Sequence, residues 1–146
     1  LDIAILTAGG GAPLEERDRL LFEQPLAWAV HKNGQCLKER PLRLAVAPVG
    51  CPWRIAALDA LKYAGIPYHI AYLSNVSESQ LAAVRADLAV AALPFSRIRN
   101  ANQPICINDE LPKLPYTQIV LRTAVNPSEN TKALAAQVLS AFNRPA

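Results

Sequence analysis

The sequence predicts an α/β fold, on three observations. Short apolar runs at Leu42–Ala47, Tyr68–Leu73 and Ala89–Leu93 have the length of buried strands. Between them lie two stretches with helical spacing of apolar residues, beginning at Pro52 and Ser77. A further strand-like run and a helical pattern follow at Tyr116–Val125 and beyond Asn126. Strand and helix in alternation describe a parallel sheet with crossover helices.

The chain has 146 residues, enough for one domain with a core. Hydrophobic residues make up 51% and charged residues 18%, which excludes a disordered chain. The formal charge of +3 is too small and too dispersed to point at nucleic acid. No apolar run reaches the ~18 residues of a membrane span, and no basic segment precedes the first apolar run as in a signal peptide. Cys36, Cys51 and Cys106 are widely spaced without a CxxC motif. That pattern predicts reduced thiols and a cytoplasmic location, not a disulfide scaffold or a zinc site. The chain holds no methionine and opens inside an apolar run, so we read it as part of a longer protein.

Leu1–Leu6 ("LDIAIL") reads as a strand covered on both faces, as in a parallel sheet. Thr7–Pro13 ("TAGGGAP") reads as a loop and Glu15–Arg19 as a solvated charged turn. Leu20–His31 is a second extended run, which Pro25 should break or confine to an edge. Asn33-Gly34 marks a turn. After the strand Leu42–Ala47, Pro52 opens a helix that Gly65 ends in a left-handed conformation. Ile55, Leu58 and Leu61 form its expected buried stripe. After Tyr68–Leu73, Ser77 and Gln80 fit a capping box for a helix with Leu81, Val84 and Leu88 inward. Ala89–Leu93 is the third strand and Ile98–Pro115 reads as loop. Tyr116–Val125 is a strand. Asn126-Pro127-Ser128-Glu129 opens the final helix with Asn126 as cap, and Leu134, Val138 and Phe142 face inward.

Most chemical motifs are absent. Gly9-Gly10-Gly11 has the wrong spacing for a phosphate loop and reads as a flexible turn. His31 and His69 stand at strand ends without metal-ligand or protease spacing, so neither a metal nor a cofactor is expected. Asp59 and Asp87 each stand alone, and no GxSxG elbow exists. Two stretches remain. "APVGCPWR" and "LSNVSESQ" each carry a strand into a polar helix entrance. Helix N-termini attract anions, and ligands of open α/β sheets sit beyond the carboxyl ends of the strands. Ser74 and Asn75 either bind such a ligand or only cap the helix, while Ser77 reads as a cap. Cys51 stands at a helix mouth where a thiol can become reactive. No histidine or second cysteine lies near it in sequence, which favours a place in a pocket wall.

Residues 40–94, "RPLRLAVAPVGCPWRIAALDALKYAGIPYHIAYLSNVSESQLAAVRADLAVAALP", resemble the second subdomain of the effector-binding domain of LysR-type transcriptional regulators. The strand followed by "P-x-G-C-x-x-R" and the Ser-rich helix start ending in "LP" carry the resemblance. "LDIAIL", "LPKLPYTQIVLRT" and "ENTKALAAQVLSAF" resemble the family's first strand, return strand and terminal helix in the same order. Asp87 and Ala89 depart from the family's usual glycines, which puts the closeness of backbone to ligand there in question. The winged helix-turn-helix and the start of the first subdomain have no counterpart in this chain.

The resemblance implies a type 2 periplasmic-binding-protein-like fold of two subdomains. Residues 1–31 and 116–146 would be an incomplete subdomain I, 41–108 subdomain II, and 32–40 and 109–115 the crossovers. It implies a small-molecule effector, an organic anion such as a carboxylate, held between the subdomains by Thr7, Ser74 and Asn75. Gly50 and Cys51 would line the facing wall and Phe95 would close the far side. It implies no enzymatic activity and no membrane contact, DNA binding only through the missing domain, and a homodimer or tetramer. The Pro52–Ala64 helix would meet a second chain through its Ala57-containing face. A transporter's solute-binding protein, or a small cytosolic α/β enzyme using Cys51, are the alternatives.

Overall fold

The computed structural model describes residues 1–9 and 13–143. The strands are β1 (Ile3–Gly9), β2 (Asp18–His31), β3 (Leu42–Val46), β4 (Tyr68–Leu73), β5 (Val90–Pro94), β6 (Ile105–Asn108) and β7 (Tyr116–Thr123). The helices are α1 (Pro52–Tyr63), α2 (Ser77–Arg85), α3 (Phe95–Arg99) and α4 (Glu129–Phe142). The strands form one mixed sheet in the order β1-β7-β2-β5-β3-β4, with β6 paired to β2 beside this path. The β-α-β-α-β unit of residues 42–94 is as expected, with β3 parallel to both β4 and β5.

The flanking strands differ from expectation. β1 pairs antiparallel with β7 and continues through Thr7 to Gly9, so the loop begins later than the sequence suggests. Gly10 and Gly11 lie outside the described residues. β2 is one strand of 14 residues, neither broken nor at an edge. Its first part, Asp18–Pro25, pairs with β7, and from Leu26 onward it pairs with β5 and β6. Pro25 sits where the partners change, and the next amide, Leu26 N, donates to Pro115 O at 3.1 Å. The missing proline N–H therefore falls at a place where the ladder changes partners anyway.

Helix α1 is rotated from its predicted setting. Ala56, Ala57 and Leu61 are buried, whereas Ile55 is 45% exposed. Two small side chains let the helix lie close to the sheet, and Ala57 and Leu61 pack with Leu44, Val46 and Val90. Gly65 takes φ +68° and ends the helix as predicted. In α2, Leu81 and Val84 are buried but Leu88 is exposed beyond the helix end. The second core joins these two to Ala45, Ala91, Leu93, Ile98 and Ile105.

The 98–115 segment is less loop-like than its prolines suggest, because α3 and β6 form there. The cap of α4 is Ser128, not Asn126: its Oγ accepts from Thr131 N at 3.2 Å. Along α4, Ala135 is buried and Val138 packs with Leu21 and Leu121, while Leu134 is exposed. Phe142 is half exposed and stacks on Phe22 with ring centres 5.7 Å apart. The 15–19 turn is only partly solvated. Asp18 is buried and accepts from Arg122 Nε at 2.7 Å and Nη2 at 2.9 Å. That guanidinium holds the Asp18 carboxyl below its ordinary range.

Candidate functional site

The ends of β1, β3 and β4 and the start of α3 converge on a cavity of about 390 Å3, a size suited to a small molecule. Each wall follows from local chain geometry. Pro48 O accepts from Cys51 N at 3.3 Å, and Gly50 takes φ +94°, so the chain turns sharply from β3 into α1. Arg54 Nη1 donates to Ala47 O at 3.0 Å and pins that turn from behind. Cys51 is the N-cap residue and Pro52 the first residue of α1, where proline's fixed φ and missing donor suit the helix.

The second entrance is built differently from the capping box. Val76 is the N-cap of α2 and no side chain caps it. Ser74 Oγ instead accepts from Val76 N at 3.1 Å, and Gln80 Nε2 donates to Ser74 O at 2.8 Å. The serine and glutamine thus shape the loop that presents Asn75 and Ser77.

Thr7, Cys51 and Asn75, three of the residues singled out from sequence, line this cavity together. Ser74, Gly50 and Phe95 are not among its lining residues; Gly50 is exposed at the turn and Phe95 partly exposed at the start of α3. The lining residues not singled out as binding groups include Trp53, Ser77, Gln80 and Arg97. Arg97 escaped notice because it falls between the third strand and the 98–115 loop, in a stretch assigned to no element, and Ser77 because it reads as a cap. The Trp53 indole crosses to the other half of the molecule, where its Nε1 donates to Thr117 Oγ1 at 2.8 Å. Gln24 Oε1 on β2 accepts from Ser96 N at 3.2 Å and fixes α3 in the same way.

Asp87, the departure from the family's glycine, takes φ +55° but does not line the cavity. Its carboxylate faces the 3-10 turn Cys36–Lys38 and accepts from Gln35 N at 2.7 Å and Cys36 N at 3.2 Å. Cys36 is buried, and desolvation pushes its thiol above the ordinary cysteine value. Cys51 is half-buried. No group of three or more potential metal ligands comes together among the described residues.

A larger groove of about 880 Å3 runs between α4, β7 and the 15–19 turn. Of its charged residues, Arg17 pairs with Glu15 at 3.0 Å and Lys132 with Glu129 at 2.7 Å, while Arg19 Nη1 donates to the backbone carbonyls of Glu16 and Asp18. It draws less on both halves of the sheet than the smaller cavity does.

A family model, the LysR substrate binding domain, matches residues 1–143. The chain belongs to that family. Its fold is the type 2 periplasmic-binding-protein-like α/β fold of LysR-type domains. The HTH-type transcriptional regulator PecT of Dickeya dadantii (strain 3937) is 30% identical over 122 residues, which cover 83% of this chain and 39% of PecT. The LysR-type domain described here thus spans well under half of that relative. Among solved structures, the regulatory domain of CcmR from Synechocystis PCC6803, in complex with 2-PG, aligns over 99% of this chain and 76% of its own. Its TM-score is 0.70 at 16% identity. The regulatory domain of HypT from Salmonella typhimurium, in its apo form, gives a TM-score of 0.74 at 16% identity, covering 97% of this chain and 72% of that one. At such identities the likeness is one of fold. No helix among the described residues is long and apolar enough to cross a membrane.

Proposed function

We propose that this LysR-type domain senses a small organic anion in the cavity between β1, α1, α2 and α3. Through a DNA-binding domain elsewhere in the protein, it would pass that signal to transcription. The observation that carries the reading is a cavity walled from both halves of the sheet, by Thr7 on one side and by the entrances of α1 and α2 on the other. The positive ends of those helices favour an anion. The Trp53–Thr117 and Gln24–Ser96 hydrogen bonds join the same two halves, so a ligand that bridges them biases their relative pose. That CcmR, of the same fold, is solved in complex with 2-PG supports a small-molecule ligand by analogy. On this reading the cleft binds and does not catalyse, Cys51 is wall, and the protein works in the cytoplasm.

β2 changes partner strands at Pro25–Leu26, and we propose this as the hinge position in place of 32–40. The protein is read as a dimer. The buried position of Ala57 removes the face first expected to meet a partner. The outer surface of α1 at Ile55 and the exposed edge strand β4, with Ile70, Tyr72 and Leu73, take its place. The test of the cleft is Thr7→Val combined with Asn75→Ala in the intact protein. Loss of effector response in a reporter assay, with an unchanged melting temperature, is the expected result. A full response in that variant refutes the placement.

A further inference from the structure

The cavity holds one charge. Its lining is Thr7, Asn75, Ser77 and Gln80 as neutral polar groups, Trp53, Val49 and Pro48 as the main apolar surface, and Arg97 as the single charged residue. No carboxylate lines the cavity, and among the described residues Arg97 takes part in no ion pair. The basic residue nearest in sequence to the α1 wall, Arg54, is used otherwise, on Ala47 O. Arg97 stands on a short helix held at both ends: Ile98 is buried in the second core, and Ser96 N is tied to Gln24 of β2. The cation is thus carried by a fixed element at the edge of a concave site, without a protein counter-charge.

We infer that Arg97 is the charge-selecting residue of this site. It pairs with one carboxylate of the ligand, while Thr7, Asn75 and Ser77 meet neutral hydroxyl or carbonyl groups and Trp53 covers an apolar part. This rests on the cleft reading above and deepens it. The guanidinium fork matches a carboxylate in two parallel hydrogen bonds. A single full cation suits a monoanion better than a dianion, whose second charge would find only hydroxyls, amides and the partial charges of the α1 and α2 entrances. The ligand class is therefore a small hydroxylated or carbonyl-bearing monocarboxylate with an apolar face.

The experiment is a calorimetric titration of the intact protein, with shikimate, benzoate, benzamide and inorganic phosphate as probes. Wild-type protein should bind at least one carboxylate more tightly than benzamide and phosphate. Arg97→Gln should weaken that carboxylate about tenfold or more, the scale of one charge-assisted bidentate contact, and leave benzamide unchanged. Arg97→Glu should abolish carboxylate binding. Arg97 is exposed, so both variants should melt like the parent without ligand. If carboxylate binding falls in Asn75→Ala but is untouched in Arg97→Gln, the cleft stands and the role of Arg97 is overturned. If binding is indifferent to Thr7→Val, Asn75→Ala and Arg97→Gln alike, the cleft reading itself fails. If no carboxylate binds wild type better than Arg97→Glu, charge selection at this residue is refuted.

Discussion

Trp53 Nε1 donates to Thr117 Oγ1 across 2.8 Å, joining the first turn of α1 to the start of β7. Thr117 is buried to 1% exposure. Thr117→Val keeps the shape and removes the acceptor, so it should cost about 1 kcal/mol in denaturant unfolding. It should also loosen the indole, seen as a red shift of Trp53 emission. An unchanged emission spectrum would show that the bond does not hold the ring.

Gly34 lies under the Asp87 carboxylate. A Cβ added at Gly34 would stand 2.1 Å from Asp87 Oδ1 and 2.9 Å from His31 Cβ. Asp87 cannot retreat without releasing Gln35 N and Cys36 N. Gly34→Ala should therefore cost about 1–3 kcal/mol, the range for stranding such donors. Once Asp87 is alanine, adding Gly34→Ala should cost much less. A double-mutant cycle checks this, since shared partners make the two losses non-additive; strict additivity would disprove the coupling.

The Asp18 carboxyl is held below its ordinary range by Arg122, with the Glu15 amide N–H helping. A carboxylate with a depressed folded-state pKa stabilises the fold above its unfolded value. That stabilisation fades as the pH falls through the folded value. Asp18→Asn should lower the melting temperature at neutral pH, and the gap to the parent should narrow below the ordinary carboxylate value of 3.8. Melting curves from neutral to acid pH test the sign.

Much of the fold is legible in the sequence where period decides it. Residues 42–94 alternate between strand-length apolar runs and helical spacing, and the β-α-β-α-β unit follows. The misses share a cause: packing chose between two locally equal options. Ile55 is the more apolar choice for the inward face of α1, but close approach to the sheet favours Ala56 and Ala57. Asn126 and Ser128 are both good caps, and the Thr131 amide selects the serine. β6 is only four residues between Pro104 and Asp109, and it exists because β2 offers it an edge. Thr7, Cys51 and Asn75 line one cavity, whereas Ser74, Gly50 and Phe95, singled out with them, do not. Arg97 could not be read, because α3 is too short to leave a periodic trace.

Placing Glu at Ala57 and at Ile55 should separate core from surface. Ala57→Glu buries an unpaired charge between α1 and the sheet and should cost more than about 3 kcal/mol, enough to unfold a marginal domain. Ile55→Glu should leave the melting temperature of the isolated subunit unchanged and, if the proposed dimer uses this surface, dissociate it in sedimentation. A dimer that survives Ile55→Glu excludes this surface.

Thiol chemistry should follow burial. At mildly alkaline pH, iodoacetamide should modify Cys51 well before Cys36, whose buried thiol stays protonated. Peptide mapping by mass spectrometry reads the order, and faster labelling of Cys36 would contradict the packing around it.

The β2 strand ties together parts of the chain made far apart in time. Among the described residues, β1 pairs only with β7, and Asp18–Pro25 pairs only with β7 as well. During synthesis both segments leave the ribosome as unpaired, partly apolar strands and wait until residues 116–123 have been translated. Meanwhile the unit of residues 42–94 has all of its parallel partners within itself. Residues 42–94 can therefore take shape first, while the strands before Leu26 depend on β7, the last strand to arrive. A ribosome stalled before Tyr116 would hold a half-built domain whose open edges call for a chaperone.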